Sequence, residues 1–201
     1  VRNTTSSEQA APVEQTEDAI PAEAQSICGL EGYETSGTLT SAPRVDSWQE
    51  LGIMQSPVSK SAGPGDGPLC FAHTPEGALF AATTFMARST VADSRVQAMQ
   101  EQVLESPGKA AAVEAASQET AGTPGQMTLS AFRLGSYDGQ NAAVTVIGEY
   151  VEQGEFVNVA MNYDLQWADG DWKVRVKDDG DLVRPSQTVD TLTGYVSWGG
   201  E

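Results

Sequence analysis

Tyr163 and Asp164 are adjacent residues whose types could do acid–base chemistry in a pocket. A carboxylate, phenol or imidazole held in a desolvated cone gains a shifted pKa and reach to a substrate. Strand alternation separates the two. Val157, Val159, Met161, Tyr163, Leu165 and Trp167 fall on one face, opposite Asn158, Asn162, Asp164 and Gln166. In a regular strand Tyr163 is therefore a core tyrosine and Asp164 is solvated, whereas a one-residue bulge would turn Asp164 inward. The only histidine, His73, precedes a helix start, where an ordering hydrogen bond is the expected role. Asp178-Asp179-Gly180-Asp181 lacks the twelve-residue spacing and terminal Glu of a calcium loop, and 61–68 lacks the GxxxxGK[ST] phosphate-loop pattern. We expect no catalytic residue, metal or cofactor, and treat Tyr163 and Asp164 as the pair that would line any pocket.

Cys28 and Cys70 are too far apart for a CxxC redox motif, and one histidine leaves no zinc set. A structural disulfide is the expected reading, and two unpaired, partly buried thiols the alternative. A bridge implies an oxidising compartment.

The elements that would position these residues follow a simple order. Thr74-Pro75-Glu76 opens a helix, with Thr74 as cap, Pro75 at the first position and Glu76 on the dipole. Leu79, Ala82, Phe85 and Met86 form its buried stripe, and the pattern continues weakly through Val96, Met99 and Val103, with a break near 89–94. A second helix opens at Ser106-Pro107 and runs through the Ala-rich 110–116. Strands are predicted over 127–137, 142–151, 156–167 and 171–177, joined by Asp138-Gly139, Gln153-Gly154 and Asp169-Gly170 turns. In the last strand Trp172, Val174 and Val176 oppose Asp171, Lys173, Arg175 and Lys177. One apolar and one wet face call for the helices to pack on the apolar side and bend the meander around them, an α+β fold.

Around this core we expect a disordered tether over 1–25, an irregular Gly- and Pro-rich wrap over 26–70, the α+β unit over 71–177 and a covering tail over 178–201. The tether lacks apolar periodicity. The tail carries Leu182, Val183, Leu192, Tyr195, Val196 and Trp198, too apolar to be left free, so it covers a sheet edge or meets a partner. Trp48 in the wrap, with Tyr195 and Trp198 in the tail, are the candidate partner-binding residues. The net charge of -17 repels phosphate backbones, and the Lys173, Arg175, Lys177 series is interleaved with acids, so no nucleic-acid role is expected. The chain begins at Val1 instead of Met, and we expect a signal peptide or membrane anchor upstream.

Two helices followed by an antiparallel meander closing on Trp167-Ala168-Asp169-Gly170-Asp171-Trp172 resemble the cystatin-like roll shared by nuclear transport factor two and ketosteroid isomerase. The phrases 26–30, 37–40, 70–78 and 194–199 resemble an uncharacterised family of membrane-anchored Gram-positive proteins. Its domain is similar to the extracytoplasmic domain of the bitopic assembly subunit of type IV secretion channels. The resemblance implies a non-enzymatic, extracytoplasmic, membrane-tethered scaffold of a conjugation-type channel, with other protein subunits as partners and a homo-oligomer within reach. Two rivals stay open: a small-ligand or carbohydrate binding module, and an isomerase- or hydrolase-like enzyme using Tyr163 or Asp164.

Overall fold

The computed structural model describes residues 20–43, 70–90, 92–119 and 128–198. Helices α1 (Pro75–Thr90), α2 (Ala92–Gln102) and α3 (Pro107–Gln118) precede strands β1 (Thr128–Tyr137), β2 (Asn141–Glu152), β3 (Glu155–Ala168), β4 (Asp171–Val174), β5 (Gln187–Val189) and β6 (Val196–Ser197). The six strands form one open antiparallel sheet in the order β4-β3-β2-β1-β6, with β5 on the remaining part of the β3 edge.

The turns expected from the sequence set the meander. Asp138 Oδ1 accepts the amides of Gln140 and Asn141 at 2.9 and 2.6 Å, closing the β1–β2 turn. Gln153-Gly154 and Asp169-Gly170 place both residues at positive φ (52° and 90°, 54° and 76°), the backbone whose twist matches the flanking strands. Register between β2 and β3 is unbroken from Asn141↔Gln166 to Glu152↔Glu155, while β1 carries two shifts, at Leu129/Ala131 and Leu134/Ser136.

The helices depart from the expectation of two. Thr74 Oγ1 accepts the Gly77 amide at 3.1 Å and caps α1 as read. The weak continuation is a separate α2, and the break is stitched by Ser94 Oγ to Arg88 O and Arg95 Nε to Ser89 O, each at 2.9 Å. The guanidinium of Arg88, 1 % exposed, then clips α1 to α2 through Gln102 Oε1 (2.9 Å) and Glu101 Oε2 (2.7 Å). Ser106 precedes α3 without capping it: its hydroxyl is buried and has no partner. Instead of a single stripe, α1 buries Gly77 to Met86 without interruption, because the sheet lies on one side and α2 on another.

The main core joins Phe80, Phe85 and Met86 to Phe132, Val146, Met161, Leu165 and Trp172. A smaller cluster on the outer sheet face, Ala131, Ile147 and Ala160, is covered by Val189, Leu192 and Tyr195 from the tail. The regular part of the last meander strand stops at Val174, and Val176 bridges Leu182. Asp171, expected on the wet face, is 2 % exposed. It accepts the amides of Phe71 (3.0 Å) and Trp172 (2.9 Å) and pairs with Lys173 Nζ (3.0 Å), which supplies the partners a buried carboxylate needs.

Candidate functional site

The unbroken β2–β3 register decides the positions of Tyr163 and Asp164. Tyr163 points into the core, 2 % exposed, with its ring edge-on to Phe85 at 5.7 Å. Burial raises its phenol well above the ordinary value of 10. Asp164 lies on the opposite face, where Arg184 Nε reaches Oδ2 at 2.9 Å and the same guanidinium donates to Tyr163 O at 3.2 Å. The bulge that would have turned Asp164 inward is absent from β3. The two residues therefore lie on opposite faces, and the space between helices and sheet is occupied by Phe80, Phe85, Phe132 and Trp172, each 3 % exposed or less.

The tail residues meet the chain's own sheet. Val196 pairs with Phe132 and places β6 on the β1 edge. Trp198 packs edge-on to Phe132 at 5.3 Å and tilted to Phe80 at 5.8 Å, while Tyr195 lies under Arg133, whose guanidinium carbon is 4.9 Å from the ring centroid. Trp48 lies outside the described residues. Cys28 and Cys70 are joined in a disulfide.

The N-terminal segment builds a site that the sequence did not reveal. Residues 22–24, within the expected tether, form a 3-10 turn packed on the sheet end, with Ala24 3 % exposed. Trp167 Nε1 donates to Glu23 O at 3.0 Å, Ile27 N to Gly170 O at 2.8 Å, and Tyr137 Oη to Glu34 O at 2.9 Å. His73 is the pivot. Its ring stacks on Trp167 (3.8 Å, 10°) and meets the edge of Trp172 (5.6 Å, 81°). Its Nδ1 lies 2.9 Å from Ala24 O, and its Nε2 contacts Gly139 O. Above it opens a cleft of about 320 Å³, walled by Glu23, Tyr33, Thr35, Asp138, Gln140 and Asp169, with His73 and Trp167 also in its lining. The ordering role expected of His73 was legible from its place before the helix cap. The cleft was not, because its lining comes from five segments separated in sequence.

A family model described as a domain of unknown function (DUF8175) matches residues 7–197. The chain belongs to this family. No curated protein and no solved structure matches it.

In this DUF8175 domain the cleft is lined by Glu23, Asp138 and Asp169, none of them in an ion pair among the described residues. Each ion pair among the described residues lies elsewhere: Arg88–Glu101, Arg95–Glu119, Lys109–Glu105, Lys173–Asp171, Lys177 with Asp179 and Asp181, and Arg184–Asp164. Asp138 is held below the usual carboxylate range by the Asn141 and Gln140 amides. Partial burial, then the neighbouring Glu76, push Glu34 up. Burial raises Tyr137 beside them, and Glu34, Glu76 and Asp138 raise it further. Among the described residues no group of His, Cys, Asp and Glu is placed to hold a metal ion, and no helix is long and apolar enough to cross a membrane.

Proposed function

We propose that this DUF8175 domain is a non-catalytic scaffold on a cystatin-like roll, working outside the cytoplasm as a tethered assembly subunit of a conjugation-type secretion channel. The observation that carries the non-catalytic part is the filled space between helices and sheet. Where enzymes of such rolls keep an open cone with an acid or base, Phe80, Phe85, Phe132, Tyr163 and Trp172 pack against one another, and Asp164 is turned away to Arg184. The Cys28–Cys70 bridge supports an oxidising compartment. The resemblance of 26–30, 37–40, 70–78 and 194–199 to membrane-anchored proteins supports the tether and the channel.

Crosslinking of the full-length protein in living cells, followed by mass spectrometry of what co-purifies from the membrane, tests this. Channel subunits or a conjugation ATPase are the expected catch. Recovery of the protein alone would overturn the assembly role and favour the second reading, a small-ligand module, which the cleft above His73 supports. An Asp164→Asn variant that kept folding but lost a measured turnover would overturn the non-catalytic reading.

A further inference from the structure

We infer that the cleft between Glu23, Tyr33, Asp138 and Asp169 is a receptor for one organic cation, the ammonium or guanidinium end of a lysine or arginine side chain presented by a partner protein. This rests on the scaffold reading above and names the chemistry by which that scaffold would hold a partner.

The first argument is size and shape. A volume of about 320 Å³ sits at the bottom of the range of small-molecule sites, roughly 300–1,000 Å³. That is room for a single long side chain. The second is the wall. Tyr33, 39 % exposed, offers a ring along which an aliphatic stem can lie and which can face a cation.

The third is the balance of donors and acceptors. Two donors of the lining are committed to backbone oxygens: Trp167 Nε1 to Glu23 O, and Gln140 Nε2 to Trp167 O at 2.6 Å. Both nitrogens of His73 face carbonyls of Ala24 and Gly139. Glu23, Asp138 and Asp169 line the cleft, and none of these has an ion-pair partner among the described residues. The acidic lining repels an anion, and a cation gains both that lining and the Tyr33 ring. The site is preformed, because the 3-10 turn, the β1–β2 turn and the β3–β4 turn are tied together through Trp167, His73 and Gly170.

The test is an NMR titration of the full chain with N-acetyl-argininamide and N-acetyl-lysinamide, with N-acetyl-citrullinamide as the neutral control of nearly the same shape. Saturable shifts are expected at the Trp167 indole N–H and the Gly139 and Gly170 amides with the two cations, and none with citrulline. The double substitution Glu23→Gln/Asp169→Asn, at exposed positions, is expected to weaken binding about tenfold. The remote pair Glu152→Gln/Glu155→Gln leaves it unchanged. The inference is overturned if the citrulline probe binds as well, if shifts spread over the acidic surface without saturation, or if the remote pair weakens binding equally. Saturable cation binding together with an empty crosslinking result would sink the scaffold reading alone and leave a receptor for free organic cations. A channel subunit captured while neither cation binds would sink the cleft alone.

Discussion

The imidazole of His73 lies face to face on the indole of Trp167, centroids 3.8 Å apart and planes 10° from parallel. Through this pair three distant pieces of chain meet: His73 touches Ala24 O and Gly139 O, and Trp167 Nε1 holds Glu23 O. The sheet end, the β1–β2 turn and the N-terminal 3-10 turn are thereby one structure.

Replacing His73 with Leu removes the stack and the ring nitrogens that face the Ala24 and Gly139 carbonyls. We expect a loss of about 2–4 kcal/mol in urea denaturation, with the disulfide intact. A change below about 1 kcal/mol would mean that the contacts are incidental.

Reduction of Cys28–Cys70, 42 residues apart in sequence, should cost about 4 kcal/mol on the chain-entropy estimate. Melting temperature falls while far-ultraviolet circular dichroism changes little, because the helices and the meander do not depend on the bridge. Labelling of two thiols in the unreduced, denatured protein would contradict the bridge.

Tyr163 and Tyr137 give the fold an alkaline limit. Burial raises both phenols, and Glu34, Glu76 and Asp138 raise Tyr137 further. A folded-state pKa above the unfolded value means that stability is intact below about 10 and is lost as pH rises from there through the folded values. Phenolate absorbance should show these two tyrosines ionising only together with unfolding. Early, reversible ionisation of all five tyrosines in the native protein would refute it.

Gly108 lets the first turn of α3 approach the strand that leaves β4. A Cβ there would overlap the Lys177 carbonyl oxygen and stand 3.0 Å from Val176 Cγ2. Gly108→Ala should cost about 2–3 kcal/mol by overpacking. Gly154→Ala meets nothing within 4 Å, although its φ of 90° disfavours a side chain, and should cost about 1 kcal/mol. Equal melting temperatures for the two variants would show that α3 can shift without penalty.

Much of the fold was legible because its signals are local. The Asp138-Gly139 turn needs a side-chain acceptor and a glycine at φ 80° within one turn, and both are written in adjacent residues. The alternation of 157–167 assigned Tyr163 and Asp164 to opposite faces, and the strand keeps that register. The burial of Asp171 was not legible, because its partners Phe71 and Lys173 are supplied by a segment 100 residues away and by a strand neighbour that could equally have faced water. Nor was the division of labour in the tail: one part pairs β3 through β5, another pairs β1 through β6, and neither strand is longer than three residues.

By itself, then, the sequence determined the periodicities, the turns, the starts of α1 and α3 and the two faces of the sheet, since each depends on residues a few positions apart. Tertiary structure alone decided that α1 is buried all round, that Arg88 and Asp171 go inside with their partners, and that Glu23 meets Trp167 across 144 residues to wall a cleft. The reason is physical. A local pattern fixes which way a side chain points, whereas a site built from separate segments exists only once the core has brought their backbones together.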